Sequence, residues 1–145
     1  MRKLFVTSPA DLPGIWDEVK PFIDRALKHD YGRRIAEDFI AGITDGSQRL
    51  WYTQNETAEI DAIAITEILD YPRLRACSMV ILSGVGMENW VHFEHEIRAW
   101  ALEKGCQKLE GRPRPGMERA MPEWKKTAIF MEIDLCPAAN QTTQK

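Results

Sequence analysis

Residues 74–105 read LRACSMVILSGVGMENWVHFEHEIRAWALEKG, and the parsing of this run decides the fold. Its first part, residues 76–82, is the apolar run expected of a central strand covered on both faces. Ser83, Gly84, Val85 and Gly86 then read as a glycine turn, because glycine reaches φ values that other residues avoid. From Trp90 the period becomes helical. Trp90, Phe93, Ile97, Trp100 and Ala101 share one face, and Lys104 with Gly105 closes the helix. A strand that passes through glycines into a helix start presents free amides and the positive end of a dipole to an anion.

Outward from this unit, the chain alternates helical and extended periods. Leu4, Phe5 and Val6 make a short first strand. Ile15, Trp16, Val19, Phe22, Ile23, Ala26 and Leu27 recur at helical spacing, with a kink or break expected at Pro21. A second helix spans residues 35–43, with Ile35, Phe39 and Ile43 in line and Gly46 ending it. Residues 50–53 and 60–69 then alternate as two strands; Ile63 and Ile65 share one face, and Ala62, Ala64 and Thr66 the other. A turn at residues 70–73 folds the next strand back, giving a three-strand meander. Residues 107–111 and 127–135 are further strands, with a short helix expected over residues 117–121. The predicted order is β-α-α-β-β-β-α-β-α-β, an α/β mixed sheet with helices on both faces.

Composition bounds the chemistry. The chain has 145 residues, 44% hydrophobic and 28% charged, which suits one globular domain over residues 1–136 with a solvated tail at 137–145. A net charge of -3 offers no basic footprint for nucleic acid, and no apolar run is long enough to span a membrane. Cys77, Cys106 and Cys136 are odd in number and widely spaced, against a disulfide framework or zinc site and in favour of a reducing cytoplasm. His92 and His95 sit three apart on a helix, but no third metal ligand is evident, and a solvated face explains them. Neither the G-x-S-x-G nucleophile pattern nor the nucleotide-binding G-x-x-x-x-G-K-[ST] pattern occurs.

The order of elements, together with Gly46, Leu50 and Trp51, Thr66 to Ile68, Tyr71 and Pro72, Ser83 and Gly84, Trp90, Trp100, Gly105 and Cys106, and Glu110 to Arg112 with Gly116 and Arg119, resembles the GNAT superfamily of N-acetyltransferases. Within it, the sequence is similar to small acetyltransferase-like proteins encoded by tailed bacteriophages. The resemblance implies that acetyl-CoA is the acyl donor. Its pantetheine arm would lie against the fourth strand at Met79, Val80 and Ile81, with its pyrophosphate on the loop at Ser83, Gly84, Val85, Gly86 and Met87. The superfamily's loop pattern is Arg/Gln-x-x-Gly-x-Gly/Ala. Gly84 and Gly86 match its small positions, whereas Ile81 stands where the basic or amide residue belongs. Glu88 sets a negative charge close behind, which weakens phosphate binding if it points inward and complements the helix dipole if it points outward. Arg112 and Arg114, held between prolines and glycines, are pre-positioned to reach the cofactor phosphates; the alternative is that Arg112 pairs with Glu110 or Glu118.

The resemblance also implies that a carboxylate takes the acceptor amine's proton, directly or through water, because a protonated amine has no lone pair to attack with. Glu67, at the end of the third strand, is the candidate base; its competing reading is an outward-facing strand-end glutamate. Asp70 reads better as a turn residue, and Glu110 faces the same gap in one strand register. The superfamily's usual proton-donating tyrosine after the fourth helix has no counterpart: the tyrosines are Tyr31, Tyr52 and Tyr71. The expectation is an N-acyltransferase acting on an unidentified amine. The alternatives are a catalytically silent protein of the same fold, serving as a virion component or binding a host or phage protein, and a CoA sensor. An unpaired last strand would also let the chain form a homo-oligomer.

Overall fold

The computed structural model describes residues 3–85, 90–112 and 121–135, with the backbone alone at residues 90–93. Gly86, Met87, Glu88, Arg114, the short helix expected from residue 117, the tail, and the side chains of Trp90, His92 and Phe93 lie outside the described residues. The elements run β1 (Lys3–Val6), α1 (Leu12–Leu27), a 3-10 turn (Ala36–Phe39) leading into α2 (Ile40–Asp45), β2 (Gln48–Gln54), β3 (Ile60–Asp70), β4 (Arg75–Gly84), α3 (Trp90–Glu103) and β5 (Lys108–Gly111). The sheet is five-stranded in the order β1-β2-β3-β4-β5. Its strands pair antiparallel except β4 and β5, which are parallel. A parallel pair needs a crossover, and α3 supplies it.

The alternation in β3 sorts the core. Ile60, Ile63 and Ile65 pack on the same side as Val19 and Ile23 of α1 and Phe39 and Ile43 near α2. Ala62 and Ala64 lie on the other side with Ile97 and Ala101 of α3. The alanines leave room for indoles: Trp51 and Trp100 meet edge to face at 5.4 Å. The buried Trp51 Nε1 donates to Thr66 Oγ1 at 2.9 Å, so its polar atom is satisfied. Helices therefore cover both faces, as the period of the sequence predicts.

Three local expectations are corrected. Helix α1 runs unbroken through Pro21. Pro21 and Asp17, whose carbonyl loses its intrahelical partner, both face solvent, where water can take that bond. Ser83 and Gly84 belong to β4, not to a turn, because both are paired with β3 at Ile63 and Ala62. Residues 127–135 form no strand: they have no ladder partner among the described residues and are exposed throughout. Ile35 also departs from the apolar line, being exposed, while Phe39 and Ile43 are buried.

Cys77 is fully buried on the α3 side of β4. Burial, with Cys106 and Glu110 adding, pushes its thiol up to about 12 against a hydrogen bond with Thr66 that lowers it. An unfolded chain ionises the same thiol near 9, so between pH 9 and about 12 the folded state keeps a proton that the unfolded state has lost. Stability therefore falls as pH rises through that window, by at most about 1.4 kcal/mol per pH unit. Urea midpoints at pH 8 and pH 10 should show this extra loss in the natural chain, and Cys77→Ala should remove it.

Candidate active site

Strand β4 is longer than β5, which is paired with it throughout residues 108–111. The parallel pairing runs from Ala76 with Lys108 to Met79 with Gly111 and stops there, while β4 stays paired with β3 as far as Gly84. Strand β4 also carries a bulge where that pairing ends. Ile65 pairs with Ile81 but Thr66 pairs with Met79, so Val80 is an extra residue opposite nothing on β3. Such a bulge bends and twists its strand. Val80 and Ile81 consequently both turn toward the α1 side, whereas Cys77, Met79 and Leu82 lie on the α3 side. Beyond the bulge, residues 81–84 have no strand on their second edge among the described residues. The β4–β5 pairing ends at its apex, Met79 and Gly111. Strand β5 is tight against β4 at that apex, since a Cβ on Gly111 would stand 3.1 Å from the Met79 carbonyl oxygen.

One row before the apex, the register sets polar residues side by side across the sheet. Gln48 on β2 pairs with Glu67 on β3, Glu67 with Ser78 on β4, and Ser78 with Glu110 on β5. All four share the α1 face, because Leu50, Ile65 and Val80 lie on that face and Cys77 and Leu109 on the other. Gln48 Nε2 donates to Glu67 Oε1 at 2.9 Å. Tyr71, from the β3–β4 turn, donates its hydroxyl to Glu110 Oε2 at 2.6 Å. That hydrogen bond raises the Tyr71 pKa above the ordinary phenol value, so the hydroxyl holds its proton at neutral pH. Glu67 and Glu110 stand two strands apart, roughly 10 Å between backbones, and flank Ser78. A cation midway between them gains about 3 kcal/mol from each carboxylate at an effective dielectric of ~20, before screening by solvent.

The other residues singled out in the sequence fall as follows. Glu67 is half-buried near the end of β3. Asp70 closes the hairpin through Arg75 at 2.7 Å and stands apart from the row. Met79 and Ile81 are buried, Val80 is half-buried, and Val85 is exposed, its amide donating to the Asp61 carbonyl at 3.0 Å. Ser83 is buried, and its Oγ has no hydrogen-bond partner among the described residues. Arg112 reaches over an aromatic ring, its guanidinium 4.4 Å from the centre of Phe130, while Glu110 is engaged by Tyr71. Arg33 lies 4.9 Å from the same ring and pairs with Glu132 at 2.5 Å. Tyr71, Ser78 and Gln48 were missed by sequence reasoning. Counting residues back from the 70–74 turn would have placed Ser78 beside Glu67, but no local signal directs Tyr71 to Glu110.

No protein-family model matches the sequence, and no curated protein sequence matches it. The fold itself matches solved acetyltransferases. A ribosomal-protein-alanine N-acetyltransferase from Brucella melitensis biovar Abortus is similar over 93% of this chain and 98% of its own, with a TM-score of 0.65 and 12% identity. An aminoglycoside acetyltransferase from an uncultured soil metagenomic sample, solved with sisomicin, is similar over 92% and 96%, with a TM-score of 0.67 and 11% identity. A predicted acetyltransferase from Clostridium acetobutylicum, solved with acetyl-CoA, is similar over 94% and 98%, with a TM-score of 0.65 and 13% identity. The chain thus has the mixed α/β fold of the GNAT acetyltransferases.

Proposed function

We propose that this chain is an N-acyltransferase that moves an acetyl group from acetyl-CoA to a cationic amine at the end of the β4–β5 pairing. The observation that carries the reading is the polar row beside the apex: two carboxylates and a hydroxyl are aligned one row before the β4 bulge and the end of β5. The residues present fit the donor. Among the described residues, residues 81–84 offer a backbone edge without a strand partner, of the kind an amide-bearing arm can extend, and Ser83 contributes a buried hydroxyl without a partner. Met79, Val80, Ile81, Ser83, Gly84, Val85, Gly86 and Met87 would hold the donor along that edge and the loop after it, with Arg112 at the β5 side.

When bound, acetyl-CoA supplies an acyl carbon that exchanges its bond to sulfur for a bond to nitrogen. The chain's residues manage charge and protons. Glu67 and Glu110 draw the ammonium form of the acceptor to the apex. Glu67 accepts its proton and frees the lone pair, while Gln48 fixes the carboxylate through Oε1. Tyr71 keeps a proton on Oη and is the phenol at the polar row that would return one to the departing sulfur.

A thermal-denaturation titration tests the donor site. Acetyl-CoA at about 100 times its dissociation constant should add ~2.7 kcal/mol of stability. Thiol release with a panel of diamines and basic peptides should then exceed release with neutral amino compounds. A second reading is favoured by Ile81, which is buried in the α1-side core and presents no cation to a pyrophosphate. On that reading the fold is catalytically silent and binds another protein, including as a virion component of a bacteriophage. Absence of any stabilisation at millimolar acetyl-CoA would favour it and refute both the transferase and the sensor readings.

A further inference from the structure

Gln48, the first residue of β2, holds Glu67 by one end of its amide and leaves the other end unsatisfied. Its Nε2 donates to Glu67 Oε1 at 2.9 Å, while its own Oε1 is buried and has no hydrogen-bond partner among the described residues. Buried amide oxygens are ordinarily paired, so this one calls for a reason. The carboxylate supplies half of it. Turning the amide over would set Oε1 against Glu67, two acceptors face to face, so Nε2 must point to the strand and Oε1 away from it. The other half is a need for space where Oε1 lies, and α2 provides that space at Gly42.

Gly42 is the third residue of the six-residue α2, and its φ is not among the positive ones. An alanine would therefore fit the backbone, and a helix interior favours alanine over glycine. The demand for glycine comes from its neighbour. A Cβ at position 42 would stand 2.4 Å from Gln48 Oε1, 2.8 Å from Gln48 Cδ and 3.0 Å from Gln48 Cγ. The approach is built locally. Gly46 closes α2 with its amide on the Gly42 carbonyl at 3.1 Å, and β2 begins two residues later. All three crowded atoms belong to one long side chain that can rotate, so a methyl group here moves the amide and leaves the backbone in place. We infer that Gly42 is a positioning residue for Glu67, an inference that rests on the reading of Glu67 as the general base. The bare face of α2 lets the Gln48 amide lie between helix and carboxylate, and filling that face unseats the carboxylate.

Gly42→Ala should therefore separate stability from rate. Its melting temperature should equal that of the natural chain or exceed it slightly, and acetyl-CoA should stabilise it as before. Its kcat should fall by ~10–10²-fold, the cost of a misplaced catalytic group. The KM for cationic acceptors should hold, because Glu67 keeps its charge. Gln48→Ala should lower kcat to a similar extent, and Gly42→Ala combined with Gln48→Ala should lower it no further, since the methyl group then has nothing to displace. A kcat in Gly42→Ala within about twofold of the natural value would overturn the inference, and so would losses that multiply in the double variant. A clear drop in melting temperature would overturn it as well, because the methyl group would then disturb the fold and not the amide. The side-chain amide resonances of Gln48 in a 15N–1H spectrum read the contact without turnover. They should move in Gly42→Ala toward the position of a solvated glutamine, and resonances that stay in place would overturn the inference whether or not the chain transfers acetyl groups. Absence of transfer by the natural chain would instead refute Glu67 as the base, with the amide resonances still deciding whether α2 sets that carboxylate's place.

Discussion

Gly84→Ala is expected to destabilise the fold by about 2–3 kcal/mol and to remove acetyl-CoA binding with it, the overpacking of a rigid site being the cause. A Cβ at this position would stand 2.5 Å from the Ala62 Cβ, 2.8 Å from the Ala62 Cα and 3.0 Å from the Asp61 carbonyl oxygen. None of these atoms belongs to a side chain that can rotate away, so β4 would have to move off β3. Gly84 and Ala62 are ladder partners at the end of β4, past the last residue paired with β5. A displacement there shifts the whole donor edge. For a chain of this size the melting temperature should drop by roughly 6–10 °C. The double variant Ala62→Gly with Gly84→Ala removes the nearest contact and should recover part of the loss, a coupling that independent sites would not show. An unchanged melting temperature in Gly84→Ala would mean that β3 and β4 are not in this close register. Gly84 cannot therefore be used by itself to locate a phosphate site: its replacement disturbs the sheet whether or not a phosphate binds nearby.

Gly84 also illustrates what the sequence allows one to read. Its conspicuous place beside Gly86 suggested a turn and a φ value peculiar to glycine. The left-handed glycines among the described residues are instead Gly32, Gly46 and Gly105. The need at Gly84 is for space against a neighbouring strand, a non-local demand that leaves no mark in the adjacent residues. Where the determining contact is periodic, the reading transfers directly: Ile63 and Ile65 against Ala62 and Ala64 foretell which helix covers which face. The parallel β4–β5 pair is legible in the same way, because a helical period between two extended ones leaves few alternatives. The break allowed for at Pro21 does not occur, since a missing hydrogen bond is cheap where the orphaned carbonyl faces water. Residues 127–135 have a strand's alternation, but alternation reports a face to be covered and not the neighbour that covers it. The candidate site divides along the same line. Glu67 was accessible as a strand-end carboxylate near the apex, whereas its partners Gln48 and Ser78 depend on strand register, and Tyr71 depends on a turn folding back over β5.

That register makes Glu67→Gln the sharpest test of chemistry. The substitution is expected to lower kcat by ~10²–10⁴-fold, the usual contribution of a positioned general base. Acetyl-CoA binding should stay within about a factor of two, since a neutral isostere one row from the donor edge changes charge by one unit and volume very little. The fold should also persist: Gln48 Nε2 can donate to the substituted side chain's amide oxygen as it does to Glu67 Oε1 at 2.9 Å. Glu110→Gln offers the comparison. Its Oε2 already accepts the Tyr71 hydroxyl at 2.6 Å, so it is less free to take a proton from an incoming amine. The loss there should be smaller and should appear mainly as a higher KM for cationic acceptors, because what is removed is attraction. Tyr71→Phe separates the two roles again. It frees Glu110 but deletes the proton-bearing hydroxyl, so kcat should fall while acceptor KM holds or improves. If Glu67→Gln keeps more than about half the natural kcat while Glu110→Gln loses ~10²-fold or more, the base belongs on β5 and the assignment to Glu67 is wrong. If neither substitution affects acetyl transfer that is otherwise robust, the polar row is a structural ladder and the amine is deprotonated elsewhere.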